Sequence, residues 1–372
     1  MMLGAVQLGV LAACIVLFVP MGMAGWHLSR NKMLFFSGAL FISLAVGVHL
    51  SPYFPSISDF MSSPASSTSS SSSSSAAVDS GNNRDSCLSL LHEIVFDVDP
   101  VSSVNGSVYY LKSWGWPQTG PVSECEFQKL GRPDTSDLLN GSWVVVAGDS
   151  QARLVALALL SLVLDSERMD SVRGDLFKRH SNYQIVVSDI GMKLDFVWAP
   201  FASNLTDLMV ELKQNSSYPD VLVMGSGLWH MLHVHNASDY GVSLELLKGS
   251  VTSLLPLSPE LGDDGPVTGS VSFRPPPFFW LGMPMLINSM LNTKEKRERM
   301  DDAAFNAYEI ELHQSKILRQ FGGPLLLLDI HSLTRNCGKR CTEDGMHYDA
   351  AVYNAAIHIM LNALLIESHQ KL

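Results

Sequence analysis

Two short stretches, far apart in the chain, carry residue types that together could make and break an ester. The first is Gly148-Asp149-Ser150 and the second is Asp344-Gly345-Met346-His347. A serine hydroxyl is a weak nucleophile until a base takes its proton. An imidazole serves as that base when a carboxylate accepts from one ring nitrogen, fixes the tautomer and leaves the other nitrogen free. An Asp three residues before a His has the reach to do this. Each stretch alone also has a plain structural use. Asp and Ser both cap helices well, so Gly-Asp-Ser could be an ordinary helix start, and Asp344 could cap the last helix beside a surface His347. Taken together they point to Ser150 as nucleophile, His347 as general base and then acid, and Asp344 as the residue that orients it.

The flanking elements suit that assignment. Trp143-Val-Val-Val-Ala147 reads as a buried strand, and the apolar run Ala152–Leu164 as a buried helix. Ser150 then lies where a strand ends and a helix begins. Open α/β sheets place their ligands at that edge, and a helix N-terminus favours developing negative charge. Further strands are expected at Tyr183–Ser188, Leu194–Trp198, Asp220–Met224, Phe278–Leu281 and Leu325–Ile330. Asn292–Gln320 reads as one long surface helix and Ala350–Ile366 as the closing helix. Cys87–Val98 begins the folded part with a helix-like pattern. Ser113–Gly120, with two tryptophans, reads as turn-rich packing, with stacking on sugar rings as the lesser alternative. Strands alternating with helices imply an α/β fold with a mainly parallel sheet covered on both faces.

The chain has 372 residues and a formal net charge of -11. An acidic chain without basic runs is a poor nucleic-acid binder, so no nucleic-acid partner is expected. Leu3–Trp26 carries no charge and is long enough to span a bilayer, and Met33–Leu50 is a second uncharged run. Arg30 and Lys32 between them should stay cytosolic, which puts the remainder on the lumenal side whether one helix or two cross. The expected organisation is a membrane anchor at 1–50, a Ser-rich stem at 51–86 and a lumenal domain at 87–372. Glycosylation sequons begin at Asn105, Asn140, Asn204, Asn215 and Asn236, all beyond the anchors, and suggest surface loops. Of the 5 cysteines, Cys87, Cys125, Cys337 and Cys341 lie outside the anchors. In an oxidising lumen they allow two disulfides in three connectivities. A bond from Cys337 or Cys341 to Cys87 or Cys125 would hold the Asp344–His347 loop in place.

Gly148-Asp-Ser-Gln-Ala-Arg153 together with the late Asp344-x-x-His347 resembles the SGNH (GDSL-like) esterase and acyltransferase superfamily. With the N-terminal anchor, it is similar to the polysaccharide O-acetylation branch, which includes the plant trichome birefringence-like proteins. The resemblance implies a three-layer α/β/α fold. It also implies a Golgi-membrane O-acetyltransferase whose acetylated serine passes the acetyl group to a cell-wall polysaccharide such as xyloglucan or xylan. An acetyl donor, acetyl-CoA or another carrier, would be co-substrate, with no bound cofactor. An acetyl transporter and other acetyltransferases would be further partners. Arg153 matches the family's arginine, either supporting the active-site turn or forming an internal salt bridge. Members carry a Gly-x-Asn motif whose Asn completes the oxyanion hole. Here the matching stretch is Gly225-Ser226-Gly227, without Asn. The amides of Ser150 and Gly191 remain as donors, with Ser226 as a substitute for the Asn.

Other readings compete. Gly148-Asp-Ser-Gln-Ala152 nearly fits a Gly-x-Ser-x-Gly elbow, but an α/β-hydrolase usually has several strands before it. His230, His233 and His235 have a spacing that invites a metal, yet no Cys or carboxylate completes a set nearby, so no metal site is expected. An acetylesterase would use the same triad with water as acceptor. A non-catalytic scaffold or acetyl relay is the third possibility, and the missing Asn is its best argument.

Overall fold

The computed structural model describes residues 86–102, 108–254 and 278–368. The expected anchors, the stem up to residue 85 and Asn105 lie outside these residues.

Strand β3 (Trp143–Gly148) shows why the sheet forms where it does. Along it Val144 and Val146 join the core on one face, while Val145 and Ala147 join the core on the other. A strand apolar at every position can only be satisfied between two covering layers. Each fully buried Val stabilises by roughly 1.5–3 kcal/mol. The same logic applies to β6 (Val221–Met224) and β7 (Phe278–Leu281), which are buried throughout. With β4 (Tyr183–Val187), β5 (Met192–Trp198) and β8 (Leu325–Leu328) they form a six-stranded sheet in the order β4-β5-β3-β6-β7-β8. Every pairing is parallel except β4 with β5, which forms an antiparallel edge.

Before this sheet, β1 (Val95–Ser102) and β2 (Val108–Gly115) make an antiparallel ribbon. The sequence pattern had put a helix over Cys87–Val98. Only 86–90 are helical, because Val95, Asp97 and Asp99 alternate outward from Phe96 and Val98, which pack on the core. Trp114, at the end of β2, is buried and donates from its indole N–H to Asn354 Oδ1 at 3.0 Å. Trp116 likewise donates to the Leu91 carbonyl. Both tryptophans are used in packing within the domain, as the turn-rich packing reading expects.

In chain order the helices are α1 (Gly120–Ser123), α2 (Arg132–Leu138), α3 (Ser150–Val163), α4 (Ser166–Leu176), α5 (Ala202–Gln214), α6 (Leu228–His233), α7 (Ala237–Leu254), α8 (Lys294–Arg299), α9 (Asp302–Gln314), α10 (Ile330–Cys337) and α11 (Ala350–Ser368). Helices α3 and α11 lie on one sheet face, α5, α7 and α9 on the other. The result is three layers, α/β/α. Helix α11 is 19 residues long and apolar enough to cross a membrane, but its apolar residues are the buried core of this domain. The long helix expected at Asn292–Gln320 is two helices. Thr293 caps α8 and Asp301 caps α9, Asp301 accepting from the Ala304 amide, so the second cap breaks the run at Met300. The last strand stops at Leu328 because Asp329 caps α10.

The cysteines choose one of the three connectivities: Cys87–Cys125 and Cys337–Cys341. No disulfide joins the Asp344 loop to the N-terminal cysteines. The loop is held locally instead, by a bond from the end of α10 to the residue that precedes it by one short turn. Closing the 38-residue separation of the first pair contributes about 4 kcal/mol on chain-entropy grounds, and the 4-residue second pair about 2 kcal/mol.

Candidate active site

From β3 the chain crosses to β5 on one side and then to β6 on the other. That reversal opens a crevice at the C-terminal end of β3, the position where such sheets hold ligands. Gly148 ends the strand at φ +154°, and a Cβ there would stand 2.6 Å from the Gly225 carbonyl oxygen. Only glycine permits β3 and β6 to approach this closely before the turn. Asp149 then caps α3, its Oδ1 accepting from the Gln151 amide at 2.9 Å. Ser150 is the first residue of the helix.

Ser150 Oγ stands 2.7 Å from His347 Nε2, and His347 Nδ1 stands 2.6 Å from Asp344 Oδ2. The other Asp344 oxygen accepts from the amides of Met346 at 2.9 Å and His347 at 2.7 Å. Burial alone would push the Asp344 pKa up. The backbone and side-chain hydrogen bonds from His347 outweigh it, and the net displacement is below the ordinary carboxylate value. An ionised Asp344 only accepts, so Nδ1 carries the hydrogen and Nε2 is left to accept from Ser150.

The loop that carries this pair is tightly specified. Gly345 takes φ +75°, with a Cβ excluded by the Ile287 carbonyl at 2.6 Å. Thr342 Oγ1 donates to the His347 carbonyl at 2.7 Å and accepts from the Gly345 amide at 3.0 Å. Gln151 ties this loop to the serine's helix. Its Nε2 donates to the Met346 carbonyl at 3.0 Å, and its Oε1 accepts from the Tyr353 hydroxyl at 2.6 Å. Gln151 and Thr342 were not singled out from sequence. The signal for Gln151 was present, since a polar residue after Ser150 begins an otherwise apolar buried helix.

Beside Ser150 and His347 lies a cavity of about 290 Å³. Arg153, Arg179, His180 and Lys296 supply its basic lining, and Phe177, Trp198 and Trp229 its rings. Among its lining residues there is no carboxylate and no Asn. His180 stacks on Trp198 at 4.9 Å, and Trp198 meets Trp229 edge-on at 5.4 Å.

Compared with curated proteins, the chain is 62% identical over 382 residues to Protein ALTERED XYLOGLUCAN 9 of Arabidopsis thaliana, covering 100% of both chains. The chain belongs to the ALTERED XYLOGLUCAN 9 family. No family model matches it. Among solved structures, the crystal structure of TesA aligns with 60% of this chain and 97% of its own, at 14% identity and a TM-score of 0.33.

The remaining predicted residues of this family member divide sharply. Gly191 is not at the site. It precedes β5, beside Gly141, and since β5 runs parallel to β3 it lies at the opposite sheet edge from Ser150. The strand end that does reach the site reads Trp198-Ala199-Pro200, where Pro200 has no amide hydrogen to donate. Ser226 is buried, but its Oγ has no hydrogen-bond partner and lines a separate cavity of about 10 Å³ with Asp149. It does not line the Ser150 cavity, so neither of these two residues replaces the missing Asn. Among the described residues Arg153 forms no salt bridge, and its guanidinium lies among Phe177, Phe196 and Trp198, 4.9 Å from the last ring.

His230 is buried, with Nδ1 2.8 Å from the Tyr308 hydroxyl and Nε2 3.0 Å from Asp239 Oδ2, so neither ring nitrogen is free for a metal. His233 packs on Trp229, away from that pair. Of the sequons, Asn140, Asn215 and Asn236 are exposed at helix or turn ends. Asn204 instead sits in the first turn of α5, half-buried, its Oδ1 accepting from the Phe201 amide at 3.3 Å. That asparagine is a helix cap and not a loop residue.

Proposed function

We propose that this protein is a lumenal O-acetyltransferase that carries acetyl on Ser150 and passes it to a cell-wall polysaccharide such as xyloglucan or xylan. The observation that carries the reading is the relay Ser150–His347–Asp344, already within hydrogen-bond distance at the sheet's switch point. The family membership supports the polysaccharide, because the Arabidopsis relative is named for altered xyloglucan. The two disulfides and the exposed sequons support a domain in the secretory pathway, with the Golgi membrane as its site.

In this reading Ser150 Oγ attacks the acetyl carbonyl as its proton passes to His347 Nε2, and the resulting imidazolium is stabilised by Asp344. The leaving group departs with the proton from His347, and the acetyl-serine remains. A sugar hydroxyl then attacks, giving its proton to His347, and Ser150 takes a proton back as the acetyl ester leaves. The Ser150 amide, at the positive end of α3, faces the oxyanion.

The test uses the full chain, purified from a secretory host and incubated with an acetyl donor. The expected result is an acetyl group on the Ser150 peptide by mass spectrometry, absent in Ser150→Ala and discharged by a xyloglucan oligosaccharide. Discharge to water alone would make the protein an esterase. A folded protein that neither takes up nor releases acetyl would be a scaffold. Glycosidase treatment should shift the protein's mobility, and no shift would refute the lumenal placement.

A further inference from the structure

Arg153 carries a charge that has no anion partner among the described residues. Arg153 is only 7% exposed as a residue, and its buried Nε and Nη2 have no hydrogen-bond partner. A buried, permanently protonated guanidinium is costly unless paired. The three aromatic rings around it offset part of that cost. The negative charge of Asp149 acts on it, yet among the described residues Arg153 makes no ion pair. Asp149 is spent on capping α3.

Arg153 follows Ser150 by three residues on α3, so both side chains leave the same helix face. Both line the 290 Å³ cavity, together with Arg179 and Lys296. Among the described residues, neither Arg179 nor Lys296 has a carboxylate partner, whereas Lys294 and Arg299 on the same helix as Lys296 are paired with Glu298 and Glu295. In a chain of formal charge -11, three unpaired cations around one nucleophile are a local inversion of the whole. A single carboxylate would leave two of them unmatched, whereas a phosphate or pyrophosphate matches the set, and Arg presents the planar fork that phosphate favours.

We propose that this cavity is the donor site and that it binds the phosphate-bearing part of an activated acetyl carrier, either an acyl phosphate or a phosphorylated acyl thioester. The inference rests on the reading of Ser150 as acetyl acceptor. Ser150 Oγ forms the new C–O bond, its proton goes to His347, and the bond from the acetyl carbon to the leaving oxygen or sulfur breaks. The phosphate or thiolate leaves with the electron pair and takes the proton from His347, which returns the imidazole to its neutral form. Arg153 meets the phosphate of an acyl phosphate directly beside the acetyl group, whereas a thioester carrier must fold its arm back for its phosphates to reach the same cations.

Binding and transfer are tested separately. Ser150→Ala full chain in detergent is titrated with inorganic pyrophosphate, coenzyme A and galacturonate. Saturable binding of pyrophosphate or coenzyme A, weakened about tenfold or more by adding Arg153→Gln and falling with salt, is the expected result. Coenzyme A binding well above pyrophosphate identifies a thioester donor, and the reverse an acyl phosphate. Galacturonate binding in preference to both would overturn the proposal, as would no binding. In the Ser150 protein, acetylation from acetyl phosphate or acetyl-CoA is compared with that from the neutral p-nitrophenyl acetate. Arg153→Gln should lower the charged-to-neutral donor ratio about tenfold, with Arg153→Lys recovering part of it, and an unchanged ratio would refute the assignment. If Arg153→Gln does not fold, the double variant Arg179→Gln, Lys296→Gln is read in the same way. Labelling of wild type by the neutral ester alone sinks the donor site and spares the acetyl-serine. Labelling by no donor sinks the acetyl-serine, with the titration still deciding the site.

Discussion

The two walls around Ser150 are built on opposite terms. On the His347 wall each polar group has its partner. Asp344 receives two amides and the imidazole, Thr342 both donates and accepts, and Gln151 spans from the helix to the loop. On the Arg153 wall the cations have no counterion among the described residues, and the guanidinium leans on rings. The first wall is rigid because its energy is already spent, as preorganised catalysis requires. The second keeps unspent charge, which is the state of a surface that awaits a ligand.

Experiments can separate the walls. The largest effect belongs to the first: Ser150→Ala or His347→Ala should abolish acetyl uptake, measured on the Ser150-containing domain by intact mass. Uptake surviving in either would break the contrast at its root. Asp344→Asn should lower the rate of acetylation 10²–10⁴-fold, since Asn can present the wrong hydrogen-bonding partner to Nδ1. Because the Asp344 pKa is displaced downward, its stabilising contribution is present above the ordinary carboxylate range and is lost as pH falls through the lower folded value. Acid unfolding of Asp344→Asn should therefore lose part of its pH dependence there.

Gln151→Ala removes the tie between the walls. It leaves the Tyr353 hydroxyl and the Met346 carbonyl without their partner and should cost about 2–3 kcal/mol, read by denaturant unfolding. A cost near zero would mean that the loop holds itself. The smallest effect concerns Asp149, whose pKa is pushed up to about 6 by burial, against the Gln151 amide bond that lowers it. Its folded value lies above the ordinary 3.8. The stability it contributes is thus full below about pH 4 and is lost as pH rises through about 6. Asp149→Asn keeps the cap and should stabilise the protein on the order of 1–3 kcal/mol at neutral pH, the gain vanishing below pH ~4. Thermal melts across pH would show it, and a gain that persists in acid would assign the effect to packing.

Much of this was legible in the residues. Unbroken apolar runs marked β3, β6, β7 and β8 because a strand buried on both faces needs no alternation, and the order Ser150, Asp344, His347 marked the relay. The β1–β2 ribbon was missed, because Cys87-Leu-Ser-Leu-Leu gives a helical start that ends after a single turn. The break at Met300 was missed because Asp301 looks like one more surface charge until its cap is seen.

Gly191 shows the limit most clearly. In sequence it is a glycine near a strand, as the oxyanion residue should be. It follows one expected strand and precedes the next, and the strand before it, β4, runs antiparallel to β5, so the turn that holds Gly191 lies at the sheet edge opposite Ser150. The sequence alone determined which residues can do chemistry, through their side-chain types, and the layered fold, through its apolar patterning. Tertiary structure alone decided which of them meet. It brought Gln151 to Met346, left Arg153 without an anion among the described residues, and put Ser226 in a different cavity from Ser150, because parallel strand order and register set those distances and neither is written in local sequence.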